Sequence, residues 1–135
     1  MTATISQSAK ALQTALITIP GLRATEYLPD QINPPCAVVT PQGIRFHEAF
    51  ATGNPPINFL VTVFVGRMSD RVAQETLYGF MSATGTQSIR AAVELDPTLG
   101  GVVQACVVTD AGNITYAEIS QVVYLTVDFQ VTVHP

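Results

Sequence analysis

The sequence predicts an α+β fold, with a mainly antiparallel sheet flanked by helices. Three observations predict it. Residues 57–67 and 121–134 alternate apolar and polar side chains with the period of two that a strand requires. Residues 4–18 and 70–81 instead place apolar side chains three and four apart, on one face of a helix. The order is helix, strands, two helices, strands, and segregated runs of this kind give α+β rather than a wound parallel sheet. With 135 residues, the chain reads as a single domain, 1–135, with no room for two ordinary cores.

The first helix, 4–18, carries Ile5, Ala9, Leu12 and Leu16 as its apolar stripe, with Ser6, Gln7, Lys10 and Gln13 opposite. Ile19-Pro20-Gly21-Leu22 ends it, since proline and glycine both punctuate helices. A short strand is expected over 23–27. The stiff loop 28–35 follows, where Pro29, Pro34 and Pro35 fix φ, remove backbone donors and hold their predecessors extended. Residues 36–40 read as a strand, Pro41-Gln42-Gly43 as a turn and 44–48 as its hairpin partner. A second rigid loop, 49–56, contains Gly53-Asn54-Pro55-Pro56.

Residues 57–67 have apolar side chains on both faces, which suits a central strand. Ser69 is placed as the N-cap of the helix 70–81. Val72, Ala73, Thr76, Leu77, Phe80 and Met81 are assigned to its inner face. A shorter helix spans 87–95, with Ile89, Ala92 and Val93 inward. Residues 96–101 form a turn and 102–109 a strand. Asp110-Ala111-Gly112-Asn113 reads as a hairpin tip, and 114–120 fits neither period. The strand 121–134 has Val123, Leu125, Val127, Phe129, Val131 and Val133 on one face. Tyr124, Thr126, Asp128, Gln130, Thr132 and His134 form a wet or partner-facing side. Phe59, Val61, Val63, Leu125, Val127 and Phe129 are the expected core.

Composition narrows the function. Charged residues make up 12% of the chain, about half the ~25% of ordinary soluble domains. Such a chain has little polar surface to spare, and protein-covered surface is expected. The net charge is −4, and Lys10, Arg23, Arg45, Arg67, Arg71 and Arg90 are scattered, which argues against direct binding of nucleic acid. No signal peptide is read at the start, and the apolar run 59–65 is too short to span a bilayer. Cys36 and Cys106 are read as buried free thiols in a reducing compartment.

The residues that could carry chemistry are few. His47 and His134 lack ligand partners at zinc spacing, so no metal and no cofactor is expected. Glu94 and Asp96 read as surface charges at a helix end, and Gly100-Gly101 as a positive-φ turn rather than a phosphate loop. The chain is read as a non-enzyme. Arg67 and Arg71 flank a helix start, either solvated or reaching a carboxylate on a neighbouring subunit.

Several ordered motifs together resemble the small head–tail neck proteins of long-tailed actinobacterial phages, the tail terminators most of all. They are Ile19-Pro20-Gly21-Leu22, Tyr27-Leu28-Pro29-Asp30-Gln31-Ile32-Asn33-Pro34-Pro35, the strand 58–65, Ser69-Asp70-Arg71, the turn 95–101 and the final alternating strand. The resemblance implies a tail-terminator-like fold and a hexameric ring that caps the tail tube, stops its polymerisation and joins tail to head. The implied partners are further copies of the chain, the major tail tube protein and a head-side neck protein. DNA would pass the lumen without specific binding, no membrane would be involved, and the protein would reside in the virion neck after synthesis in the host cytoplasm. Asp30, Gln31, Ile32, Asn33, Pro34, Pro35, Arg67, Arg71, Tyr124, Asp128 and Gln130 are the interface candidates. Other neck proteins (stopper or adaptor) share these features, and a small-molecule binding module is a reading from another class.

Overall fold

The computed structural model describes residues 5–19, 22–25, 35–44, 56–67, 71–82, 84–85, 87–95, 98–119 and 121–134. Among these the chain is a mixed α+β structure, with three helices and a five-stranded open sheet of order β1-β2-β3-β5-β4. The strands are β1 Arg23–Thr25, β2 Cys36–Ile44, β3 Ile57–Arg67, β4 Ala105–Ile119 and β5 Val122–His134. The helices are α1 Ile5–Leu16, α2 Arg71–Met81 and α3 Ile89–Glu94. Neighbouring strands pair antiparallel except β1 and β2, which run parallel.

The alternating segments sit where their patterns place them. β3 is central, between β2 and β5, and pairs with β5 from Ile57 opposite Val133 to Arg67 opposite Tyr124. Val61 lies between Val39 and Phe129, and Val63 between Ala37 and Val127. These side chains face the helices, and all six expected core residues are buried. The same cluster takes Ala9, Leu12 and Leu16 from α1, Ala73, Leu77 and Phe80 from α2, and Ile89 and Val93 from α3. Helix residues thus join the core on one face of the sheet. Burial of this apolar surface, at roughly 25 cal/mol per Å², is the main favourable term.

Four sequence expectations are corrected. Pro41-Gln42-Gly43 is not a turn; β2 continues through it to Ile44, which pairs with Ile57. Among the described residues β1 pairs with Cys36, Ala37 and Val38, short of Pro41, and proline sits beside a register shift between Pro41 and Gly43. Residues 45–48, the expected hairpin partner, lie outside the described residues. The second correction concerns β4, which starts at Ala105 rather than 102 and runs to Ile119. Residues 110–113 are inside this strand and not a hairpin tip. Bulges between Val108 and Asp110 and between Gly112 and Thr115 reset its period, which hid the strand's length from a period-two reading. The chain reverses around Gln121, at φ 68°.

Third, Val72 is 65% exposed and leaves the inner face of α2. Ala73, Leu77 and Phe80 define that stripe at i, i+4 and i+7, and Val72 falls to its side. Fourth, Tyr124 and Thr126 are buried rather than wet. Tyr124 joins Cys36, Val38 and Phe64 in a second cluster on the sheet's other face, edge-on to the Phe64 ring at 6.1 Å.

Helix ends follow local chemistry. Ser88 caps α3, its Oγ accepting the Ala91 N–H at 3.1 Å. Ser69 and Asp70, expected to open α2, lie outside the described residues. The turn after α3 holds Leu99, Gly100 and Gly101 at φ 51°, 73° and 87°, so the glycines supply the backbone the turn needs. Gly66 has a different reason. A Cβ there would stand 3.0 Å from the Ala73 Cβ, so glycine lets α2 seat on β3.

Candidate functional site

The interface candidates fall into three places. Asp30, Gln31, Ile32, Asn33 and Pro34 lie outside the described residues. Pro35 is half-buried, and its carbonyl accepts the Arg23 N–H at 3.2 Å, which starts the parallel pairing of β1 with β2. Arg67 ends β3 and Arg71 opens α2; both are exposed. Strand register brings Tyr124 opposite Arg67, but Tyr124 is packed inside the second cluster and offers no wet surface.

Asp128 and Gln130 stand further along β5. The Asp128 carboxylate accepts the Asn113 Nδ2–H at 2.7 Å, and the Gln130 carbonyl accepts the Thr109 hydroxyl at 3.1 Å. Beside them Thr132 donates to Asn58 Oδ1 at 3.1 Å, and Thr126 to the Thr115 carbonyl at 3.3 Å. The helix-free face is therefore laced by polar side chains that bond to one another and to the backbone. Gln130 remains exposed on it, and Asp128 is half-buried.

Clefts lie on both sides of α3. One, of about 390 Å³, lies between α3 and β4 and includes Arg90, Glu94, Asp110 and Phe129 in its walls. Glu94 Oε2 accepts from Arg90 Nε at 3.3 Å and from the Val108 backbone N–H at 3.3 Å. This carboxylate thereby satisfies a backbone donor of the edge strand β4, a contact that a reading of Glu94 as a solvated charge missed. The other cleft, of about 350 Å³, lies between α1, α3 and the turn 98–102. Its walls are mostly apolar, and Leu95 on its rim is 81% exposed. No spacing in the sequence marks it, because it forms where two helices and a glycine turn meet.

The cysteines lie on opposite faces, Cys36 in the second cluster and Cys106 in the main core, and both are free thiols. Burial pushes the Cys36 thiol up from its ordinary value, and the Arg23 charge on the adjoining strand opposes this. A buried thiol with a raised pKa is a poor nucleophile. His47 lies outside the described residues; His134 is exposed, and its carbonyl accepts the Gln104 N–H at 2.9 Å. Among the described residues no group of three or more His, Cys, Asp or Glu side chains could hold a metal ion. Among them also, no helix is long and apolar enough to cross a membrane. Comparison with models of known protein families and with curated proteins finds no match to either.

Proposed function

We propose that this chain is a structural, non-catalytic protein of the phage neck, a tail terminator that caps the tail tube as a ring and presents a surface to the head. The ordered motifs that resemble neck proteins raise the idea. The observation that carries it is the apolar surface left in water. Leu95, Val72, Tyr78, Tyr116 and Ile17 are all more than half exposed, on a chain in which 12% of residues are charged. Surface of this kind is typical of subunits whose flanks are covered by other protein. The same reading uses the net charge of −4, since a mildly acidic lumen lets DNA slide without sticking.

Tube growth tests the reading. Purified full-length protein, added to the major tail-tube protein of the same virion while that protein polymerises, is expected to stop elongation at substoichiometric ratios. It should then be found at one tube end only. Unchanged tube lengths, or labelling along the whole tube, would overturn the proposal.

A further inference from the structure

Charge is distributed unevenly along this chain. All six basic residues fall within residues 1–90, whereas residues 91–135 hold Glu94, Asp96, Asp110, Glu118 and Asp128 and no Lys or Arg. The β4–β5 hairpin is thus an acidic arm. Near its end Ile114 and Tyr116 are exposed, at 50% and 55%. Register places Tyr116 opposite Leu125, on the face that carries the helices. Yet α3 meets β4 much earlier in the strand, at Cys106 and Val108. Tyr116 therefore stands beyond the α3 contact, with more than half of its surface exposed. Glu118 is exposed two residues on, so it projects from the same side of the strand.

A complementary surface lies at the other end of β4. It is the cleft between α1 and α3, walled by Ala11, Ala15, Ala92, Leu95, Leu99 and Val102. Small alanine side chains on both helices leave room for a large apolar group. Thr14 also lines this cleft, and its hydroxyl bonds to the Lys10 carbonyl at 3.0 Å, one helical turn back on the same side of α1. Lys10 is exposed, one turn before Thr14 and next to Ala11 on the same helix. An apolar cleft with Lys10 close by on α1 and an apolar tip with Glu118 close by match in character and in charge. They cannot meet within one chain. Val102 and Tyr116 are separated by nearly the whole of β4, on the order of 40 Å at ~3.3 Å per strand residue.

We propose that the β4–β5 arm of one copy docks in the α1–α3 cleft of the next, with Tyr116 in the cleft and Glu118 facing Lys10 beside it. Donor and acceptor surfaces differ, so the contact is head-to-tail, and repetition closes a ring or grows a filament. The contact deepens the ring reading, and only the closing of the series of copies rests on that reading.

Disulfide trapping tests it. Lys10→Cys and Glu118→Cys replace the facing charges by thiols and leave Tyr116 in place; the native cysteines are buried and do not compete. Equal amounts of the two full-length variants, mixed at high concentration under mild oxidation, are expected to give the mixed disulfide far above either self-disulfide. Tyr116→Ala in the Glu118→Cys chain should lower that yield several-fold while the circular dichroism spectrum is unchanged. In a sedimentation assay, Lys10→Glu and Glu118→Lys should each weaken association by roughly threefold, and mixing the two should restore it. Predominant Glu118→Cys self-disulfides, no mixed disulfide at any soluble concentration, or a yield indifferent to Tyr116→Ala would each overturn the proposal. A six-fold neck ring found alongside failed trapping would leave the neck reading standing with other surfaces. Trapping without effect on tube growth would leave the arm contact and remove the neck function.

Discussion

Ser8 is fully buried on α1, and its hydroxyl has no hydrogen-bond partner. An unsatisfied buried hydroxyl costs free energy, and alanine is also the better helix former. Ser8→Ala is therefore expected to raise stability by about 1 kcal/mol, read as a higher denaturation midpoint at unchanged slope. A lower midpoint would mean that the hydroxyl is used. Cys36 makes a second prediction, through pH. Its thiol is raised by burial in the folded state, so the folded chain holds this proton longer than the unfolded chain does. The contribution is fully present below the unfolded value of about 8.5 and is lost as pH rises through the folded one. Wild-type stability should fall above about pH 8.5 more steeply than that of Cys36→Ala. Parallel pH profiles for the two proteins would contradict this assignment.

Elements with one uninterrupted period were legible in the sequence, and interrupted ones were not. β3 alternates from Ile57 to Val63, before its bulge between Phe64 and Gly66, β5 keeps its apolar residues on one face, and α1 carries its stripe cleanly, so their places and inward residues agree with the structure. In β4, two bulges shift the pattern mid-strand; the segment 114–120 then fits no period, and the glycine and asparagine before it imitate a turn. Pro41 imitates a turn in the same way, because a lone sequence does not show the register shift that accommodates a proline there. The parallel pairing of β1 is long-range and leaves no local trace. Of the site candidates, Tyr124 was misplaced because alternation alone does not reveal that both faces of β5 are covered at that end. The α1–α3 cleft was invisible because no local pattern encodes a gap between helices. The reversal between β4 and β5 makes its own prediction. Gln121 holds φ 68°, a region costly for a residue with a Cβ and open to glycine. Gln121→Gly should stabilise the chain by about 1 kcal/mol, seen in the melting temperature. Destabilisation would show that the Gln121 side chain contributes more than its backbone strain costs.

At the scale of the molecule, three features need a common explanation: few charges, helices gathered on one face of an open sheet, and a long acidic hairpin with exposed apolar side chains. As an isolated monomer, the chain leaves Leu95, Val72, Tyr116 and Ile114 in water with no return. As a ring subunit it would cover flanking apolar surface, and each copy would both offer an arm and receive one. The proline-rich segments 28–35 and 49–56, read from the sequence as stiff, would suit such a role, because stiffness lowers the entropy lost on docking. Replacing Pro34 and Pro35 by glycine is expected to leave the fold intact, because the bond that Pro35 makes to Arg23 uses its backbone carbonyl, which glycine keeps. Incorporation of the variant into tails should fall, scored by counting complete particles. The most direct measurement of the central claim is a reconstruction of the neck of the assembled phage. It is expected to show six copies of this chain as a closed ring on the last layer of the tail tube, below the head-side proteins. A neck without this chain, or with single copies bound outside the tube, would contradict it.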